Sequence, residues 1–422
     1  MNVSQARHDG FDVVIVGGGL AGQLCALALH GLAPRSSVAL VERAPRLGGN
    51  HTWCCHLTDL VGGSHGDEGA LLHTWFLPLA DARWPRHRVL FPTFARVLDG
   101  EYLCLRSSSL AQKTEAALAR TGCSLVTGHA VVAADGQSVT LANGQRLAGR
   151  VVLDARGGEL ADYEDRAGFQ KFLGWEIELG TRAPVSSAPS TVPTLMDASV
   201  AQVDGFRFVY TLPFSPTRLL VEDTYFSRHA ALDRGVVGQR LHAYLAAKSI
   251  ADFTIVREES GVLPMPWAKP SPPHGRSPED ALAIGYRGGF FHPGTGYSLG
   301  RAAVVAHRVA EIARDTGGAE LEQCVRNGLE HLRAMWAKDD DFSRLLNRLA
   351  FGLVPASWLR EQVFSPVYRL PQAALARFYA GRTRVRDRLA IATAPIRLPH
   401  LPFLASFARQ TAKRFPLLGE NP

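Results

Sequence analysis

Apolar positions recur along this chain with two periods, and the places where one gives way to the other outline its elements. The stretch from Phe11 to Arg43 reads FDVVIVGGGLAGQLCALALHGLAPRSSVALVER. Its β-branched run, Asp12 to Val16, predicts a buried strand. Gly17, Gly18 and Gly19 predict a tight turn, and Ala21 to Leu29 is rich in strong helix formers. Gly31 and Pro34 break that helix, and a second apolar run, Val38 to Val41, stops at Glu42. The order is strand, turn, helix, strand. From Ala70 to Tyr102, Trp, Phe, Pro and Arg are mixed without an assignable period. Ser109 to Arg120 reads as a helix; Ser124 to Val132, Ser138 to Leu141 and Arg146 to Val152 read as short strands between Gly turns. Gly168 to Leu179, Val203 to Leu212 and Thr217 to Asp223 read as strands of a separate sheet, supported by the alternation in GFRFVYTL. A Pro-rich loop, PMPWAKPSPPHGRSPED, leads into a strand, a Gly-rich turn and a long helix over ALAIGYRGGFFHPGTGYSLGRAAVVAHRVAEIAR. From about Leu321 the pattern is helical.

Composition narrows the class. The chain has 422 residues, 46% of them hydrophobic and 20% charged, which is globular and long enough for two or three cores. Its formal charge of +7 is concentrated at one end. Between Arg377 and Arg414 nine basic residues face a single acid, Asp387, so that this segment alone carries +8. Such a tail points to an acidic partner, an anionic lipid or a nucleic acid. None of the six cysteines has C-x-x-C spacing, which leaves zinc and dithiol redox sites without support. No apolar signal-peptide core opens the chain, and no run of about 18 apolar residues predicts a membrane span. The expectation is a protein kept in a reducing cytoplasm with free thiols.

Gly17, Gly19 and Gly22 have the G-x-G-x-x-G spacing of a dinucleotide site. The first glycine makes the turn, the second lets backbone approach a pyrophosphate, and the third lets the helix pack against the strand. Glu42 is placed to accept hydrogen bonds from an adenosine ribose. The acid followed by the Gly–Gly pair of RAPRLGGNHTW resembles FAD-binding Rossmann proteins of the glutathione-reductase type. VVLDARG, with Asp154, resembles the strand that passes near the flavin in that type, and FFHPGTGYSLGRAAVVAHRVAEIA its flavin-facing helix. Gly294, Thr295 and Gly296 would there offer backbone N–H groups and a helix dipole to a negative flavin. Many flavin hydroxylases carry a Gly–Asp pair just before this helix; here the position reads Gly285–Tyr286–Arg287.

The stretch PTRLLVEDTYF, Pro216 to Phe226, sets two carboxylates, Glu222 and Asp223, at what reads as the end of a strand. Adjacent strand residues face opposite sides, so both acids reach one pocket only if the strand bulges or ends there.

GGNHTWCCH, GFRFVYTLPFSPTRLLVEDTYF and GGFFHPGTGYSLGRAAVVAHRVA, in that order behind the N-terminal βαβ unit, resemble the bacterial lycopene β-cyclases over roughly Phe11 to Leu389. The resemblance implies an α/β fold: an FAD-binding Rossmann-type domain (residues 11–160 with 281–315), an inserted mixed β-sheet substrate domain (161–280) and a helical C-terminal region (316–422). It implies lycopene as substrate, β-carotene as product through a one-ringed intermediate, and FAD used in reduced form without net redox change, with NAD(P)H as electron donor. Protonating a terminal double bond requires a carboxylic acid in a dry site, where burial and a neighbouring carboxylate raise its pKa. Glu222 is then the general acid, and Asp223 either supports it or points outward; Tyr225 and Phe226 offer aromatic faces to a cation. The cofactor residues implied are Gly17, Gly19, Gly22, Glu42, Asp154, Gly294, Thr295 and Gly296, with no metal. His51 and Trp53 either line the flavin pocket or pack beneath the Gly–Gly turn, and His292 caps the flavin helix.

A hydrocarbon substrate implies a peripheral location on the inner face of the cell membrane. The segment Asp387 to Pro416 mixes Leu, Phe and Ile with Arg and Lys, as an interfacial segment does, and an ordinary C-terminal cap has the same makeup. Nucleic acid is disfavoured as the acidic partner, since the tail lacks a binding motif. Two other classes stay open: a flavin hydroxylase or polyene reductase acting on an apolar isoprenoid, and a non-catalytic flavin- or carotenoid-binding protein.

Overall fold

A computed structural model describes residues 10–60, 67–120, 122–163, 165–180, 191–269, 279–352 and 359–394. The first half of the chain forms β1 (Phe11–Val16), α1 (Leu20–Leu32), β2 (Val38–Glu42), β3 (Thr52–His56), α2 (Asp67–Phe76), β4 (Ala82–Phe91), β5 (Phe94–Arg106), α3 (Ser107–Leu118), β6 (Ser124–Thr127), β7 (Val131–Ala134), β8 (Ser138–Leu141) and β9 (Arg146–Asp154). The second half forms β10 (Ala167–Leu179), β11 (Thr194–Asp197), β12 (Phe206–Pro213), β13 (Arg218–Ser227), α4 (Arg234–Ala247), β14 (Phe253–Pro266), β15 (Leu282–Ala283), α5 (Leu299–Asp315), α6 (Leu321–Gly352), α7 (Leu359–Tyr368), α8 (Gln372–Tyr379) and α9 (Val385–Thr393).

Two compact units result. The first comprises Met1–Pro85, Gly100–Glu164 and Pro270–Lys338. Its sheet runs β6-β2-β1-β9 in parallel, with β15 also parallel to β9 and a β7-β8 meander added antiparallel at β9. Strand alternation divides β1 between two cores. Val13 and Ile15 pack under α1, α3 and α5, whereas Val14 and Val16 face the meander side with Val139 and Leu141. Both faces of the sheet are therefore covered, which is why its strands read as unbroken apolar runs. This is the expected Rossmann-type arrangement.

The second unit comprises Arg86–Asp99, Asp165–Lys269 and Asp339–Pro422. Its mixed sheet runs β14-β10-β13-β12-β11-β4, antiparallel except for β11 against β4. One face carries Leu173, Trp175, Val209, Val221 and Tyr225 against Val237, Leu241 and Leu245 of α4. The other carries Phe206, Phe208, Phe226 and Met265 with Phe351, Tyr368 and Leu375.

Several elements differ from the sequence expectations. The unassigned stretch forms α2, β4 and much of β5; unevenly spaced charges, with Pro85 and Gly100 inside the strands, hid their period. Gly128, at φ +76°, divides the strand expected over Ser124 to Val132 into β6 and β7. Most important, β13 does not end at Asp223: it continues to Ser227, paired on both sides without interruption. The units also divide differently from the three expected segments, since Arg86–Asp99 belongs to the second unit and α6 is shared at Lys338. Most of the Pro-rich loop, and the tail beyond Ala394, lie outside the described residues; of the segment Asp387 to Pro416 expected at an interface, only 387–394 are described, in and just after α9, where Asp387 is bound by Arg377.

Candidate active site

The first unit holds a dinucleotide cradle built at the turn between β1 and α1. Gly17 sits at φ +104°, a conformation that excludes a side chain, and a Cβ on Gly22 would lie 2.0 Å from the Gly17 carbonyl oxygen. The helix start is thus pressed directly onto the turn. A Cβ on Gly18 would meet Leu47 at 2.4 Å, while around Gly19 there is open space. Close packing at Gly22 with an open approach at Gly19 is the geometry that a pyrophosphate over a helix N-terminus requires. The Glu42 carboxylate accepts hydrogen bonds from Gly18 N (2.7 Å) and Ala44 N (2.8 Å), which fixes it at the end of β2 beside the turn. The Gly48–Gly49 turn is tied to the same place, because Gly48 N donates to Gly18 O and Ser107 Oγ donates to Gly49 O. His51 N donates to Ser107 Oγ in turn, and the His51 and Trp53 rings stand 6.1 Å apart. These residues fit a dinucleotide.

The remaining cofactor candidates are more committed to their own fold. Asp154 is bound by Arg156 (2.9 and 2.7 Å) and Arg287 (2.8 Å). Burial pushes its carboxyl up, but the hydrogen bonds and charge of Arg156, with the charge of Arg287, hold it below the usual range. Arg287, one of the residues in place of the hydroxylase Gly–Asp pair, therefore sits on the carboxylate of Asp154. Thr295 N and Gly296 N both donate to the His292 carbonyl, so two of the amides expected to face a flavin close their own turn. His292 Nδ1 stands 3.0 Å from Thr295 Oγ1, securing that turn ahead of α5.

The second unit holds the acid pair. Because β13 is a regular strand here, Glu222 and Asp223 face opposite sides of the sheet. Asp223 and Tyr225 lie on the α4 face. Asp223 is fully buried, accepts Arg207 Nε at 2.8 Å and Nη2 at 2.9 Å, and accepts the Tyr225 hydroxyl at 2.7 Å. Arg240 in turn donates to Tyr225 Oη at 3.0 Å. The expectation that Tyr225 shares the acid's pocket is thereby corrected; of the two aromatics only Phe226 lies on the Glu222 face.

Glu222 is 9% exposed and accepts the Thr224 hydroxyl at 2.7 Å. Its strand neighbours in register are Gly174 of β10 and Tyr210 of β12, and Gly174 is also opposite Glu259 of β14. A line of polar residues follows on this face: Arg218 to Glu176 (2.6 Å), Glu176 to Arg257 (2.9 Å) and Arg257 to Glu259 (2.6 Å). Burial pushes the Glu222 carboxyl up to about 8, with the negative charge of Glu259 as the next contribution and Asp223 a lesser one. At neutral pH Glu222 is therefore a neutral acid with a proton to give. Neither Glu259 nor its register was legible beforehand. The alternation in VREES places Arg257 and Glu259 on one face, but nothing local says that this face meets Glu222.

The lycopene cyclase protein family model matches residues 12–407. The lycopene β-cyclase of Pantoea ananas is 37% identical over 397 residues, covering 94% of this chain and 97% of the relative. That of a Paracoccus species is 38% identical over 418 residues, covering 97% and 99%. Among solved structures, a geranylgeranyl bacteriochlorophyll reductase-like protein from Thermoplasma acidophilum superposes with a TM-score of 0.58 at 13% identity, covering 94% of this chain and 99% of that one. A flavoprotein/dehydrogenase from Cytophaga hutchinsonii gives 0.57 at 14% identity, covering 94% and 99%, so the fold is one found among flavoproteins. With a family model spanning nearly its whole length and relatives of this similarity over nearly all of theirs, the chain belongs to the lycopene cyclase family.

Proposed function

We propose that this enzyme cyclises the linear ends of lycopene to β-ionone rings, giving β-carotene through a one-ringed intermediate, with Glu222 as the general acid. The observation that carries the assignment is the buried Glu222 carboxyl, which keeps its proton up to about pH 8 on a face shared with Phe206, Phe208 and Phe226. An isolated alkene is a very weak base, so its protonation needs an acid that is neutral at working pH and shielded from water. Glu222 gives its proton to the terminal double bond, and the O–H bond breaks as a C–H bond forms. The resulting tertiary cation is attacked by the next double bond, closing a six-membered ring. Loss of a ring proton completes an isomerisation without net redox change. The aromatic faces on this side of the sheet favour a nearby cation.

Gly17, Gly19, Gly22 and Glu42 are proposed to hold FAD, with Asp154, Gly294, Thr295 and Gly296 at its flavin end. In reduced, anionic form, with NAD(P)H as electron donor, FAD held there would supply negative charge of the kind that stabilises a cation. Held by both Arg156 and Arg287, Asp154 leaves that end without a loose carboxylate. Asp223 is proposed to support the strand through Arg207 and not to exchange protons with substrate. The basic C-terminal segment is proposed to rest on anionic lipid at the inner face of the cell membrane, where lycopene is taken up. Among the described residues no helix is long and apolar enough to cross a membrane.

The test is anaerobic incubation of the protein with lycopene in liposomes and reduced FAD, followed by product mass and retention. Cyclic isomers of unchanged mass are expected. A gain of oxygen on admitting air, or a change of two hydrogens, would instead assign an oxidoreductase.

A further inference from the structure

The Glu222 carboxyl has a neighbour whose role the reaction does not by itself require. Glu259 stands two strands away in register, with Gly174 between them. Strands lie about 4.8 Å apart, so two glutamates in this relation are ordinarily separated by the side chain of the middle residue. Here that residue has none. A Cβ on Gly174 would sit 3.2 Å from Glu259 Cγ, 3.4 Å from Leu220 Cδ1 and 3.5 Å from Glu222 Cβ. Glu259 therefore leans across the glycine toward Glu222. Its other side is anchored, because Arg257 Nη1 donates to Glu259 Oε2 at 2.6 Å while Arg257 Nε holds Glu176 at 2.9 Å. Glu259 is 3% exposed.

Resting on the reading of Glu222 as the acid, we propose that Glu259 is a positioning residue for proton delivery. Clamped by Arg257 and admitted by Gly174, it holds negative charge beside Glu222 and keeps the proton on that carboxyl until an alkene takes it. No bond to Glu259 is made or broken. When Glu222 releases its proton to carbon it becomes a second carboxylate in the same row, and the repulsion favours return of a proton to Glu222 from the ring. The charged and titratable groups around this row are Glu259 and Arg257 from β14, Glu176 from β10, Arg218 at the far end, Tyr210 from β12, and Asp223 on the reverse face. Of these, Glu259 raises the Glu222 carboxyl most and Arg257 opposes it.

The experiment compares wild type, Glu259→Gln and Gly174→Ala, each with reduced FAD and lycopene liposomes, from pH 5.5 to 9.5. Alongside, the protonated-carboxyl C=O stretch that disappears in Glu222→Gln is titrated by infrared difference spectroscopy. Removing the Glu259 charge is expected to move both the alkaline fall of activity and this titration down by about one pH unit or more. For a one-unit shift, activity near pH 8 then drops roughly fivefold and near pH 9 roughly tenfold, while activity near pH 6 is kept. Gly174→Ala, which puts a methyl between Glu259 Cγ and Glu222 Cβ and so spreads the two side chains, should shift both the same way without changing any charge. Unmoved midpoints in a folded Glu259→Gln protein would overturn the proposal, as would activity lost equally at every pH with the carboxyl titration in place. If Glu259→Gln does not fold, Gly174→Ala decides by the same two midpoints. If instead Glu222→Gln itself remains active, the assignment of the acid fails, which is a separate result.

Discussion

Two adjacent carboxylates with nearly identical surroundings in sequence have opposite employment in the fold. Glu222 faces a row of polar side chains and holds a proton; Asp223 is clamped by a buried guanidinium and a tyrosine hydroxyl, which oppose the upward push of burial on its carboxyl. Their amide variants should therefore fail differently. Glu222→Gln is expected to abolish cyclisation at every pH while FAD binding is kept and the melting temperature at pH 7 is not lowered. Asp223→Asn leaves Arg207, only 7% exposed, without its charge partner, which removes roughly 3–5 kcal/mol of stability. Its loss should appear first as a lower melting temperature, and protein that remains folded should still cyclise. The reverse pattern would exchange the two roles. A pH dependence follows from Glu222 as well. Its carboxyl lies at 4.5 ordinarily and about 8 in the fold, so folding takes up a proton between those values. The stabilising contribution is complete below about 4.5 and is lost as pH rises through about 8. Wild-type melting temperature should fall between pH 6 and 9 more steeply than that of Glu222→Gln, and parallel curves would contradict the raised carboxyl.

At the scale of elements, what the sequence discloses is whatever repeats locally. The β1–α1–β2 unit was legible because its apolar runs and its glycines each have one structural use. A contrast between two of those glycines can be measured. Gly22→Ala pushes a methyl to 2.0 Å from the Gly17 carbonyl, so α1 must move off β1 and the first unit should lose both FAD and stability. Gly19→Ala meets open space, so the fold should stand and only FAD affinity should weaken. Equal melting temperatures for the two variants would deny the close approach at Gly22. The end of β13 was not legible, because Glu–Asp in an apolar strand looks like a stop signal. It continues because Arg207 and Tyr225 neutralise Asp223 on one face while protonation neutralises Glu222 on the other. The partnership of Glu222 with Glu259 was invisible for a different reason. It depends on the pairing of β13, β10 and β14, residues separated by tens of positions, and on a glycine whose only signature is a missing side chain.

For the whole molecule the question is how a hydrocarbon reaches a buried acid, and charge distribution bears on it. Beyond Ala394 the chain carries Arg397, Arg409, Lys413 and Arg414 against Glu420 alone, interleaved with Leu398, Leu401, Phe403, Leu404 and Phe407. Each basic residue near an anionic surface contributes about 1 kcal/mol, so a net charge of +3 from this stretch is worth roughly a hundredfold in membrane affinity. A chain ending at Ala394 keeps every described helix and strand of both units. It should melt at the wild-type temperature and bind FAD normally, yet bind anionic liposomes about a hundredfold more weakly. Activity on lycopene in those liposomes should fall with binding, while activity on lycopene in detergent should be kept. Salt separates the two contributions of the tail, because screening at 1 M shortens the reach of charge to about 3 Å and leaves apolar contacts intact. Wild-type binding that survives high salt would assign the anchoring to the leucines and phenylalanines, and binding by the shortened chain equal to wild type would remove the tail from substrate uptake altogether.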